Sequence, residues 1–240
     1  MIIKEVKPFG NGAQILVSKN WIGKKVILSL KDRSLDDIKK ELLNDLNDLT
    51  KVACIVLIGS YARNEQLYDS DVDIMVFCRE RLNIKLNNFH IILINTGRLR
   101  EEIALNPALF KSILDEGIAV LNSDFLKNVK IIDKDVSNYK KECYNAYLSN
   151  KEFIKLDKEQ STLSLSVIYS IILRLRALFI LKNKYSFNKF REWIIRNNLN
   201  FDELYNIYKS IRNDKETKNI DYKLINEVEK ANEFLFKQIK

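Results

Sequence analysis

The chain has 240 residues, room for one large domain or about two to three small ones, and 46% hydrophobic with 30% charged residues is the balance of a soluble globular protein. The most apolar helical stretch, Leu163 to Leu181, is interrupted by Arg174 and Arg176, which excludes a membrane span there. The first residues lack the apolar core of a signal peptide. The three cysteines, Cys54, Cys78 and Cys143, have no metal-type spacing, and Cys54 and Cys78 lie within apolar runs as small core residues of a protein kept in a reducing cytoplasm.

The net charge of +8 is unevenly spread. Residues 1–33 hold seven Lys/Arg against two Asp/Glu, residues 34–133 twelve against sixteen, and residues 134–240 twenty-one against fourteen. An acidic middle is thus flanked by basic ends. Basic ends suit a polyanion such as nucleic acid, although a solvated lysine-rich surface accounts for the C-terminal excess equally well.

In the first segment, Pro8-Phe9-Gly10-Asn11-Gly12 is a turn cluster. Gln14–Val17 and Val26–Leu30 read as short strands around Trp21-Ile22-Gly23-Lys24-Lys25. So small a piece cannot bury a sufficient core alone. The run from Gly10 to Lys19, followed by Trp21 to Val26, resembles the AbrB-like swapped-hairpin family. That resemblance implies homodimerisation through an interleaved β-barrel and, less firmly, DNA binding. A hairpin arm packed on the next domain is the simpler alternative.

The second segment begins at Ser34, placed as an N-cap with Asp37 three residues on. Leu35, Ile38, Leu42, Leu46 and Leu49 follow at helical spacing. An apolar strand, Val52–Ile58, leads into Gly59-Ser60, a short helix, and a second strand over Asp73–Phe77. A Gly-Ser turn leaving a strand offers backbone N–H groups and a hydroxyl to phosphate. Asp71 and Asp73 alternate along the next strand, so both carboxylates leave one face and can hold a hard divalent cation. Phe89–Ile94 reads as a third strand, Pro107–Glu116 as a helix opened by Asn106-Pro107 and closed by Gly117, and Ile118–Leu121 as a last strand.

The run from Gly59-Ser60-Tyr61-Ala62-Arg63 to Asp69-Ser70-Asp71-Val72-Asp73 resembles the signature of the nucleotidyltransferase superfamily, in particular its minimal nucleotidyltransferase branch. Asn64 stands where that family usually has Gly, a replacement that a left-handed backbone tolerates. The resemblance implies that Gly59, Ser60, Arg63 and Ser70 bind the nucleotide. It implies that Asp71 and Asp73 bind Mg²⁺ or Mn²⁺ and act in catalysis, with ATP or another NTP as substrate and AMP passed to a hydroxyl acceptor. Arg63 could equally form an ion pair. Where the family commonly has a third carboxylate, this chain has His90, its only histidine. Three readings stay open: His90 is a general base or metal ligand, the site binds nucleotide without turnover, or His90 is a strand residue with no role.

The third segment reads as helical over Ser137–Lys155, Ser161–Lys184, Phe187–Asn197, Asp202–Arg212 and Asp221–Ile239. Leu204 to Asp214 resembles the HEPN family of helical bundles. The ribonucleases of that family follow an Arg with a His, whereas Thr217, Lys218 and Asn219 stand after Arg212. The resemblance therefore implies a non-nucleolytic bundle for binding a substrate or partner, or for dimerisation.

The expected architecture is α+β. A short β-hairpin segment over 1–33 precedes a nucleotidyltransferase-type mixed sheet with helices on one face over 34–133. An all-α antiparallel bundle covers 134–240. The rival to an enzyme is a catalytically degenerate nucleotide-binding regulator or antitoxin-like module, dimeric and DNA-associated, without a membrane partner.

Overall fold

The structure is a computed structural model that describes residues 4, 6–26, 34–46, 48–66, 70–80, 82, 89–212 and 222–240.

At the N-terminus the turn cluster lies where expected, but the strands do not. β1 (Lys7–Phe9) pairs antiparallel with β2 (Gly12–Gln14), Phe9 opposite Gly12. The two-residue loop Gly10-Asn11 closes them directly, with Gly10 at φ +56°. Short hairpin loops demand such a positive φ, so the turn draws its immediate neighbours into pairing. Residues 15–17, expected as strand, are not in one, and Lys19–Trp21 forms a 3₁₀ turn. Val26 is not in a strand, and the rest of the second expected strand, 27–30, lies outside the described residues.

α1 (Leu35–Asp45) starts at Ser34, whose hydroxyl accepts from the Asp37 N–H while the Asp37 carboxylate accepts from the Ser34 N–H. It stops before Leu49, short of the expected stripe. Asp48 instead accepts from the Thr50 N–H and starts a separate 3₁₀ turn at Leu49–Lys51, the usual way an Asp competes with a helix.

The central sheet has the order β5-β4-β3-β6, where β3 is Val52–Ile58, β4 Val72–Cys78, β5 Phe89–Asn95 and β6 Ile118–Leu121. β3 is antiparallel to β4 and β6, and β4 is parallel to β5, which makes the sheet mixed. All seven residues of β3 are buried because strands flank it and helices cover both its faces. On one face Cys54, Val56, Ile58, Met75 and Phe77 pack with Ile103 of α3 (Leu99–Leu105), Phe110 and Ile113 of α4 (Pro107–Glu116) and Phe125 of α5 (Ser123–Lys127). On the other, Ile55, Leu57, Ile74 and Val76 pack with Ile38, Leu42 and Leu46 around α1. α4 begins as expected, with the Asn106 side chain accepting from the Leu109 N–H ahead of Pro107. α3 and α5 carry no strong periodic signal in the sequence.

Among the described residues, five α-helices make up the C-terminal part. These are α6 (Asp133–Gln160), α7 (Leu165–Lys182), α8 (Phe187–Ile195), α9 (Phe201–Arg212) and α10 (Ile225–Ile239). α6 and α10 run antiparallel, since Tyr147 meets Glu233 and Lys158 meets Glu229. Between them Asn150 donates to Asn232, which in turn donates to the Tyr147 carbonyl, a buried network that fixes their register. Asp157 ends α6 by accepting from Thr162 Oγ1 and from the N–H and Oγ of Ser164. The bundle core reaches back to Ala108 of α4, and Arg100 of α3 donates to the buried Asp135 of α6. The three cysteines are free thiols in the core, and burial pushes Cys54 and Cys143 up to about 11. Among the described residues, no helix is long and apolar enough to cross a membrane.

Candidate active site

β3 ends at Ile58 and the chain turns at Gly59, whose φ is +74°. A Cβ on Gly59 would collide with Asp73 Oδ2 and come within 3.3 Å of Asp73 Cγ. Glycine is thus required twice, for the left-handed backbone and for the close carboxylate. α2 (Gly59–Ala62) follows and is only four residues long, too short for a strong macrodipole. What it can offer an anion is local: N–H groups of the turn and the Ser60 hydroxyl. The Ser60 carbonyl accepts from the Glu65 N–H at 2.9 Å, and Asn64 sits at φ +57°, a left-handed conformation that asparagine tolerates.

The strand register brings the acidic partner in. Ile58 of β3 lies opposite Asp73 of β4, and Asp73 lies beside His90 of β5. Asp73 shares the parity of Met75 and Phe77, and His90 that of Ile92 and Ile94, so both stand at one end of the same sheet face. His90 Nδ1–H donates to Asp73 Oδ1 at 2.8 Å. An ionised carboxylate only accepts, so this bond assigns a proton to Nδ1, and in the neutral ring Nε2 is then the acceptor. The imidazole is 65% exposed and Asp73 29% exposed. Asp71 is exposed directly before β4, and Ser70 is half-buried next to it.

Arg63 is engaged on the opposite side of the turn. Its Nε donates to Glu65 at 2.8 Å and its Nη1 to Glu116 at 3.4 Å, while its guanidinium carbon lies 5.3 Å from the centre of the Tyr185 ring. Burial raises the Glu116 carboxyl above its ordinary value, opposed by the Arg63 charge and by hydrogen bonds from Arg63 and the Tyr185 backbone.

Of the residues singled out in the sequence, the structure brings Gly59, Asp73 and His90 into direct proximity. Ser60, Ser70 and Asp71 sit beside them along the chain, and Arg63 turns away. Among the described residues, no group of three or more His, Cys, Asp or Glu side chains is already gathered as a metal cluster. Glu116 and Tyr185 were not picked out as partners of Arg63. They lie 53 and 122 positions away, and no local pattern links such distances.

A glycine turn against a strand-borne aspartate on a small mixed sheet is the arrangement expected for nucleotidyl transfer. The nucleotidyltransferase domain model matches residues 39–185. The chain belongs to that family and is a transferase of nucleotidyl groups. It is 32% identical over 97 residues to a Methanocaldococcus jannaschii protein named "Putative protein adenylyltransferase", a match covering 37% of this chain and 99% of the relative. A second protein of that name and organism is 28% identical over 80 residues, covering 33% of this chain and 79% of the relative. Residues 1–32 match a family described as "Putative transposon-encoded protein". A crystal structure of a nucleotidyltransferase-like protein from Exiguobacterium sibiricum aligns with TM-score 0.38 and 11% identity, over 83% of this chain and 74% of that one.

Proposed function

We propose that the protein transfers AMP from ATP to a hydroxyl acceptor, on a small molecule or a protein, with Asp71 and Asp73 holding Mg²⁺ or Mn²⁺. The observation that carries this reading is the Asp73 carboxylate lodged in the space that any side chain on Gly59 would fill. The donor set fits the ion: carboxylate oxygens are what Mg²⁺ and Mn²⁺ take. When bound, the ion neutralises charge on the triphosphate.

The N–H groups of Gly59 and Ser60 and the Ser60 hydroxyl hold the β- and γ-phosphates, and Ser70 supports the loop entering Asp71. His90, its tautomer fixed by Asp73, accepts the acceptor's hydroxyl proton at Nε2. His90 is the only histidine in the chain, so no other imidazole can take this task. The adenylyltransferase names of the relatives support ATP as the nucleotide.

The test is transfer of label from α-labelled ATP, with Mg²⁺ or Mn²⁺, to the protein itself and to small hydroxyl compounds and tRNA. Label absent from the Asp71→Ala/Asp73→Ala double variant is the expected result. Equal label in that variant overturns the assignment.

A second reading rests on the N-terminal segment, where Phe9, Leu16 and Ile22 are 67%, 65% and 79% exposed. Such apolar side chains on and just after a two-stranded hairpin favour a partner, which the AbrB-like resemblance makes a second copy of the chain. In that reading the dimer associates with DNA as a regulator or antitoxin-like module. The HEPN-like bundle then serves as a docking or dimer surface and the nucleotide site as a sensor. Salt-sensitive DNA binding that vanishes without residues 1–33 supports it, and binding that persists without them overturns it.

A further inference from the structure

Among the described residues, three buried side-chain atoms find no hydrogen-bond partner: Gln66 Oε1, Glu116 Oε1 and Arg176 Nε. Two of the three, Glu116 and Arg176, touch Arg63 and Tyr185 respectively. Unpaired buried polar atoms are uncommon enough to call for a reason.

Tyr185 lies between α7 and α8 and is 5% exposed, its ring packed against Phe179 and Phe190 of the bundle. It touches the site in two ways. Its backbone N–H bonds the Glu116 carboxylate, and its ring takes the Arg63 guanidinium. The same ring takes a second guanidinium from α7, with Arg176 Cζ at 4.8 Å. Among the described residues Arg176 has no carboxylate partner. Burial disfavours its charge, and the tyrosines Tyr185, Tyr208 and Tyr205 counter that loss. A buried guanidinium held by aromatic oxygens and rings in place of an acid is a costly choice for packing alone.

The other end of the chain of contacts is the Gly59–Ser60 turn. α2 is a single turn of helix and cannot hold its shape unaided. Arg63 is the residue that closes it, its N–H bonded to the Gly59 carbonyl at 3.3 Å. Both polar edges of Arg63 are occupied by Glu65 and Glu116, and its side chain is 15% exposed, so it is poorly placed to reach a phosphate. It is well placed as an anchor.

We propose that Tyr185, with Glu116 and Arg176, is a positioning joint through which the helical bundle holds the Gly59–Ser60 turn in its nucleotide-binding shape. The proposal rests on the nucleotide site described above and assigns the bundle a part in it that needs no contact with substrate. Arg63 is the last link of the joint.

The experiment is amide hydrogen exchange on the nucleotide-free full chain, followed by ATP kinetics. Tyr185→Leu removes the ring face, Tyr185→Phe keeps it, and Glu116→Gln loosens Arg63 without touching the bundle core. Exchange at residues 59–66 is expected to speed about tenfold in Tyr185→Leu and Glu116→Gln, a modest free-energy change, and to stay at wild type in Tyr185→Phe. The KM for ATP should rise by about the same factor while kcat falls less, the mark of a misplaced binding turn. Should Tyr185→Leu fail to fold, Glu116→Gln alone decides. Unchanged exchange at 59–66 in the folded variants, or equal damage from Tyr185→Phe, overturns the joint. A wild-type protein that takes no ATP yet shows the exchange pattern overturns the nucleotide reading and leaves the joint standing.

Discussion

The two sides of the Gly59 turn are built on opposite terms. Asp73 and His90 meet on one side, both open to solvent, each supplied by a strand end and joined by a single hydrogen bond. Arg63, Glu116 and Tyr185 meet on the other, nearly sealed, each drawn from a different element. The open side has groups that can exchange partners with a substrate. The sealed side has groups already committed to one another. Chemistry is therefore expected to respond to changes on the first side and geometry to changes on the second.

The largest expected effect breaks the open side. Asp73→Asn keeps the shape but removes the charge that the proposed divalent ion would need and that the His90 hydrogen bond meets. Nucleotidyl transfer should fall by about 10³-fold or more, the several kcal/mol that charge stabilisation by a bound cation supplies. The melting temperature should stay near wild type, because Asp73 is partly solvated. A rate within about tenfold of wild type, measured by label transfer, would remove Asp73 from the catalytic set.

Next in size is His90→Gln. A positioned base contributes about 10²–10⁴-fold, so kcat should drop within that range while ATP affinity holds. A drop in affinity with unchanged kcat would instead make His90 a binding residue. Smaller is Gly59→Ala, which meets a left-handed backbone and the Asp73 carboxylate together. Stability should fall by about 1–2 kcal/mol by thermal melting, and ATP affinity should fall with it.

The difference between the two sides also explains what could be read from the sequence. β3, β4 and β5 are largely apolar runs, and Gly59, Asp71 and Asp73 lie within one 15-residue stretch, so their neighbourhood is written in local order. His90 follows from one further strand placed in parallel register. The sealed side depends on residues 53 and 122 positions from Arg63, so no local pattern could name them. Arg176 stood out only as an interruption of an apolar helix. Tyr185 was invisible because its role comes from the α7–α8 turn meeting the end of α4, a tertiary event. The N-terminal strands were misplaced for the opposite reason. There the local turn at Gly10 governs, and no buried face exists to impose a longer pairing.

That exposed hairpin gives the smallest expected effect and the sharpest control. Residues 7–14 have no residue in any of the three hydrophobic clusters, and every residue of β1 is exposed. Removing residues 1–33 deletes no group that the sheet or the bundle buries among the described residues. The remainder should therefore unfold within about 0.5 kcal/mol of the full chain at a protein concentration too low for association. At higher concentration the full chain should gain stability with concentration if the hairpin pairs with a second copy, and the truncated chain should not. A truncated chain that melts much lower at every concentration would mean that the hairpin packs on its own domain, and the case for a partner on Phe9, Leu16 and Ile22 would fall with it.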